Sequence, residues 1–367
     1  MSPCTRGSAV FADCPYGVRF GGSEMDKKTP GVGVAIAFLA AILPAPVSGA
    51  THGETSALSI ALLPPSANRV VFLVAEDEGI FGKNGLEVEI YVPANVAAQV
   101  RRDGLIIPDH AIRDSSSGTV VTERIATGLG TNLALIATDA TVPTDLVFLL
   151  TFDNVTRGHI VVRDGIRTVE DLKGKRLGYT GGSRTHFVAL VLAEHMGWDP
   201  RYDISLMANA RMDALRGGRV DAIIANEARL AEARKYGYKS VLDVSTLDVP
   251  TAGTGVAARR DWLAENRDIA AAFVKSVIEA NALLKQDKSV AVQSIEHWYG
   301  VTDPAKQDLL YAGAVDTPRA PYPSKAGIEK IMQVFDSHEM RKYKADDFYD
   351  ASFVRELDES GYIDSLY

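Results

Sequence analysis

Between residues 57 and 259 the chain alternates short β-rich runs with amphipathic stretches, and this alternation restricts the fold more than any other feature. Runs at 58–63, 87–92, 133–137, 146–152, 159–163, 175–179, 204–207, 220–225, 240–244 and 254–259 read as strands. An edge-like strand is expected over 105–112 despite Pro108, which cannot donate to a ladder. Helices are expected at 70–81, from 115 to about 127, and at 184–196, 209–217 and 227–236. Strands and helices at this spacing specify βαβ units and parallel sheets covered on both faces. From residue 261 onward the pattern is almost wholly helical, broken at Pro304 and between Pro318 and Pro323. The expected fold class is therefore α/β, with two doubly wound lobes at about 57–160 and 163–250 and a helical tail packed on one of them.

The length of 367 residues leaves room for two domains, and 46% apolar with 23% charged residues is ordinary globular composition. Lys plus Arg total 39 against 47 Asp plus Glu, a net charge of −8. That balance argues against a nucleic-acid binder or a polybasic membrane-surface protein. It leaves a small anionic ligand open, because a ligand reads the local field.

Lys27 and Lys28 precede an apolar run from Gly31 to Leu43, then Pro44, Pro46 and Ser48-Gly49-Ala50. This is the three-part pattern of an export signal cut near Ala50, with Met25 as the expected start. The run is too short to span a bilayer. Both cysteines, Cys4 and Cys14, lie upstream of the expected cut, so the expected mature chain has no disulfide, thiol nucleophile or Cys-based metal site. The seven histidines are scattered without a His-x-x-x-His pair, and no P-loop or Gly-x-Ser-x-Gly elbow occurs. Gly253-Thr254-Gly255 matches a dinucleotide fingerprint by letter only, because a strand runs through it. No metal or cofactor is expected.

The chain offers instead polar turns at the carboxyl ends of strands, where open α/β sheets bind ligands. In Thr180-Gly181-Gly182-Ser183-Arg184-Thr185 the glycines permit close backbone approach. The helix after this turn presents free N–H groups, Ser183 and Thr185 add hydroxyls, and Arg184 adds a charge. Ser183 can equally cap its own helix. Ser116, Ser117, Gly118 and Thr119 form a second such turn, or a solvated loop. Ser66 and Asn68 belong to a third, weaker one, next to Arg69. Asn226 and Glu227 open a helix, where Glu227 either favours the dipole or meets a positive group on the ligand. Arg69, Arg184 and the helix N-termini favour an anionic group, and Glu227 leaves room for a zwitterion.

Several segments resemble a known family. They are Ala75 through Glu89, Val169-Glu170-Asp171-Leu172-Lys173-Gly174-Lys175-Arg176-Leu177-Gly178, Gly181-Gly182-Ser183, Ala214 through Ala222, Gly255 through Leu263, and Pro321 through Ile328. Their order and spacing over 57–338 resemble the periplasmic solute-binding proteins of nitrate/sulfonate/taurine-type ABC importers, the thiamine-precursor-synthase-like (NMT1) superfamily. The resemblance implies a type II periplasmic-binding fold, with two lobes joined by a two-strand hinge. It places a signal segment in 1–50, lobe 1 in 51–160, lobe 2 in 161–250, and the return to lobe 1 and helical tail in 251–367. It also implies a monomeric, periplasmic, non-enzymatic protein that closes on a small anion or zwitterion and delivers it to a permease and its ATPase. The Gly182-Ser183 and Ser116–Thr119 turns match the family's two ligand loops. The chain departs from the pattern at Pro108-Asp109-His110 and at Asn226-Glu227-Ala228, so sulfonate specificity is not implied. The superfamily also contains a pyrimidine-precursor synthase linked with iron, pyridoxal phosphate and a Cys-rich segment. This chain lacks that segment. A receptor-coupled sensor would use the same fold.

Overall fold

A computed structural model describes residues 56–61, 67–102, 107–113, 125–127, 146–181 and 183–367. Three sheets organise these residues. Strands β1 (Ser56–Ala61), β2 (Leu86–Pro93) and β3 (Ile112–Arg113) form a parallel sheet in that order. Strands β4 (Ile125–Thr127) and β5 (Leu146–Thr151) flank β11 (Gly255–Arg259), both antiparallel to it. The third sheet has the order β10 (Lys239–Asp243), β6 (His159–Val162), β9 (Ala222–Ala225), β7 (Arg176–Tyr179), β8 (Ser205–Ala208).

The expectation of parallel sheets holds only in part. β7 is parallel to β8 and β9, but β6 runs antiparallel to β9 and β10. The path of the chain explains the exceptions. β6 is the first strand after it enters the five-stranded sheet, and β11 brings it back to β5, so each runs against its neighbours. The two connections also pair with each other. Phe152 N donates to Thr254 O (2.7 Å), Gly253 N to Asp153 O (2.7 Å), Thr251 N to Asn154 O (3.1 Å) and Thr156 N to Val249 O (2.8 Å). Gly253 and Gly255 serve this pairing: a Cβ on Gly255 would lie 2.1 Å from Leu150 O, and one on Gly253 2.2 Å from Asp153 Cβ.

Helix α1 (Val70–Asp77) buries every residue from Val70 to Ala75 against β1, β2 and the tail. The sequence predicts one helix over 70–81, but Gly79 at φ +63° ends α1, and a separate turn, α2 (Ile80–Lys83), comes next. A glycine in the left-handed region just past a helix is the common stop signal. Over 105–112 the expected strand shrinks to β3, because Pro108 opens a 3-10 turn at Asp109–Ala111, with Ala111 N donating to Pro108 O (3.0 Å). Helix α3 (Ala94–Arg102), which no sequence signal announced, precedes it. The end of the helix expected over 115–127 is instead strand β4, held by β11. The strand expected at 133–137 lies outside the described residues.

In the second lobe α4 (Arg184–His195), α5 (Met212–Arg216) and α6 (Glu227–Lys235) come after β7, β8 and β9. The tail comprises α7 (Arg260–Glu265), α8 (Arg267–Gln286), α9 (Lys288–Tyr299), α10 (Pro304–Val315), α11 (Lys325–Val334), α12 (Ser352–Glu359) and α13 (Tyr362–Ser365). Phe273, Ile295, Ala314, Phe353 and Ile363 carry these helices into the core of the first lobe, where Phe81 stacks on Phe273 at 5.3 Å between ring centroids. Helix α11 differs from the expectation that the tail packs on one lobe. Ile328 and Ile331 meet Phe148 of β5 and also Phe187 and Val191 of α4, and Lys330 pairs with Glu194 at 2.7 Å. It starts at the crossing itself: Thr151 Oγ1 donates to Tyr322 O (2.9 Å) and accepts from Ser324 N (3.2 Å). Among the described residues no helix is long and apolar enough to cross a membrane.

One ion pair ties two interior strands of the five-stranded sheet, β7 and β9, where they begin. Arg176 donates from Nε to Asp221 Oδ2 (2.9 Å) and from Nη2 to Oδ1 (3.0 Å), and its backbone N–H adds a third bond (3.0 Å). These bonds pull the Asp221 carboxyl down to about 2, below its ordinary 3.8. A native value below the unfolded one means the stabilisation is complete above about pH 4 and lost as pH falls through about 2. Asp221→Asn is expected to cost about 1–2 kcal/mol at pH 7 after allowance for solvent screening. Thermal unfolding of both proteins at pH 7 and near pH 2 checks this: the difference should shrink at the lower pH.

Candidate functional site

A cleft of about 540 Å³ opens between the lobes at the two connections. Asn68 lines one wall; Thr180, Ser183, Arg184, Thr185 and Asn226 line the other. Asp153, in the outgoing connection, joins the walls. Its Oδ2 accepts from Asn68 Nδ2 (2.5 Å) and from Arg184 Nη2 (2.8 Å), and its side chain is only 9% exposed. One carboxylate oxygen thus laces the first lobe to the second.

Local chemistry explains the turn after β7. Ser183 is the N-cap of α4, its Oγ accepting from Thr185 N (3.2 Å) and donating to Thr180 O (2.7 Å). Thr180 N donates to Thr185 Oγ1 (2.8 Å), and the two hydroxyl oxygens are 3.0 Å apart. The capping role left open by the sequence is realised, and the same hydroxyls border the cleft. Asn226 caps α6, its Oδ1 accepting from Arg229 N (3.0 Å), and Glu227 is the first residue of that helix. Ser66, Ser116, Ser117, Gly118, Thr119 and Gly182 lie outside the described residues, as does the export segment at 25–50.

The cleft holds more positive charge than the sequence suggested. Arg157, Arg184, Arg211 and Arg229 line it, against Asp153 and Asp316. Arg157 pairs with Asp316 at the end of α10. Among the described residues Arg211 makes no ion pair. A cationic excess in a chain of net charge −8 concentrates the field in the cleft and attracts anions. Asp153, Arg157, Arg211 and Arg229 escape sequence reasoning because they come from separate segments without a shared pattern. The one available signal was the position of Asp153, two residues past the end of β5. Arg69 departs from the expectation that it serves this anion: it turns into the interior, only 6% exposed, while its neighbours Ala67 and Asn68 face the cleft.

His186 stacks on Tyr179 at 4.6 Å between centroids and meets Phe335 edge-on, and burial pushes its imidazole below its usual value. It is a packing histidine. Among the described residues no three His, Cys, Asp or Glu side chains are placed to hold a metal ion.

Two α/β lobes, two paired connections and a polar cleft between them define the periplasmic-binding-protein fold. Residues 115–288 match the family described as NMT1/THI5 like. Among solved structures, the periplasmic aliphatic sulphonate binding protein SsuA of Escherichia coli superposes with a TM-score of 0.57 at 19% identity, over 77% of this chain and 91% of that one. The periplasmic nitrate-binding protein NrtA of Synechocystis PCC 6803 gives 0.58 at 15% identity, over 84% and 89%. The alkanesulfonate-binding protein SsuA of Xanthomonas axonopodis pv. citri gives 0.54 at 17%, over 77% and 92%. No curated protein is similar to the chain in sequence.

Proposed function

We infer that the protein is the solute-binding component of an ABC importer, capturing a small organic or inorganic anion or zwitterion by closure of its two lobes. The observation that carries this reading is the arginine-lined cleft at the two connections, with donors from both lobes meeting at Asp153. The similar solved structures, which include sulfonate- and nitrate-binding proteins, support it. Lobe 1 then comprises 51–160 with the returning 251–367, and lobe 2 comprises 161–250. On this reading the Ser116–Thr119 and Gly182-Ser183 turns contribute backbone donors to the ligand. The protein works as a monomer in the periplasm after cleavage near Ala50, transforms nothing, binds no nucleic acid, and hands its ligand to a permease and its ATPase.

Closure requires only that the ligand bind the closed state better than the open one. A thermal-shift screen with nitrate, taurine and short alkanesulfonates tests the reading. A true ligand at about 100 times its Kd stabilises by about 2.7 kcal/mol. Turnover of any of these compounds, or a flat response to the whole set together with small carboxylates and pyrimidines, would overturn it.

A further inference from the structure

Arg69 is 6% exposed, and among the described residues its Nε and Nη1 have no hydrogen-bond partner. Tyr299, at the end of α9, is fully buried, and among the described residues its hydroxyl also has no partner. The two side chains are close enough to interact electrostatically, although no bond joins them. A buried charge without a partner costs several kcal/mol. A guanidinium cannot escape that cost by losing its proton, because its ordinary value is above 12. Burial pulls Arg69 down from there and pushes Tyr299 up to about 12, so the tyrosine stays a neutral donor.

We propose that Arg69 and Tyr299 form an enclosed site for one small monoanion of halide or nitrate size, separate from the cleft. The groups left unpartnered are N–H and O–H donors, so they select an acceptor. The single charge of Arg69 matches a monoanion, and the near-complete burial of both side chains excludes a bulky one. Helix α1 begins immediately after Arg69 without a side-chain cap, so the positive end of its dipole adds to the attraction. The site lies behind the wall of the cleft. Ala67 and Asn68 of the same 3-10 turn, which packs against α1 and α10, face the cleft, while Arg69 faces inward. The anion therefore stabilises the first lobe and holds the turn that presents Asn68.

The test uses the full chain dialysed into sodium gluconate, whose anion is too large to enter. Gluconate is then replaced by sodium chloride at constant ionic strength, since chloride is not among the solutes proposed for the cleft. The wild type should show a saturable rise in Tm of several degrees. Arg69→Met should flatten it, Tyr299→Phe should weaken the apparent affinity several-fold, and Arg69→Lys should keep a reduced response. If Arg69→Met does not fold, the Tyr299→Phe and Arg69→Lys titrations decide. Arg184→Ala, which alters the cleft, should respond as the wild type does. A flat wild-type curve overturns the proposal. So does a response that survives in Arg69→Met, is unchanged in Tyr299→Phe or Arg69→Lys, or disappears in Arg184→Ala. That last result would place the anion in the cleft and leave the solute-binding reading intact.

Discussion

Arg184→Ala is expected to weaken binding of an anionic ligand by about 10- to 150-fold, the equivalent of one charge-assisted hydrogen bond of about 1.5–3 kcal/mol. Two effects point the same way. The variant removes a cation from the cleft wall, and among the described residues it leaves the largely buried carboxylate of Asp153 with Asn68 alone as side-chain partner, facing the incoming negative charge. Arg184→Lys should recover part of the loss, because an ammonium keeps the charge but not the planar fork. Asp153→Asn separates the two ligand classes. If the ligand is a simple anion, removing the carboxylate releases Arg184 and tightens binding. If it is a zwitterion whose ammonium meets Asp153, binding weakens. Calorimetric titration with nitrate and with taurine reads both signs. Unchanged affinity in Arg184→Ala would remove this residue from the site.

Gly327→Ala should destabilise the protein by at least about 3 kcal/mol, the upper range for overpacking. Gly327 sits in the first turn of α11, capped by Ser324 (Gly327 N to Ser324 Oγ, 3.1 Å). A Cβ there would lie 1.9 Å from the carbonyl carbon of Thr251, 2.1 Å from its oxygen and 2.3 Å from Ala252 N. All three atoms are backbone of the returning connection, so no side chain can swing aside. Gly82→Ala is the control: its Cβ would meet nothing within 4 Å, and a helix prefers alanine by up to about 1 kcal/mol. Urea denaturation should give a large loss for the first variant and no loss for the second. Equal midpoints would mean that α11 does not rest on the connection.

The strands were legible where burial on both faces leaves a continuous apolar run, as in Leu146–Thr151 and Ala222–Ala225. They were legible too where a glycine turn and a capping serine mark the next helix, as at Ser183. Strand direction was not legible, since β6 and β11 look like any other buried strand and their antiparallel sense depends on which neighbour they meet. The site was half legible. Asn68, Ser183, Arg184, Thr185 and Asn226 belong to recognisable turns, and the cleft brings them together. Asp153 and Arg211 carry no local pattern, and only the fold makes them neighbours. Arg69 shows the limit from the other side, because its turn was found but its direction was not.

The paired connections, with the segment Pro321–Ser324 bonded to Thr151 beside them, amount to three strips of backbone lying side by side. Twisting one half of the molecule against the other would shear the bonds between Asp153 and Gly253 and between Asn154 and Thr251. Bending along the line of the strips stretches them far less. The bearing therefore has a single soft axis, like a door and unlike a ball joint. Asn68 and Arg184 would then travel the same arc at every swing and meet in the same alignment each time.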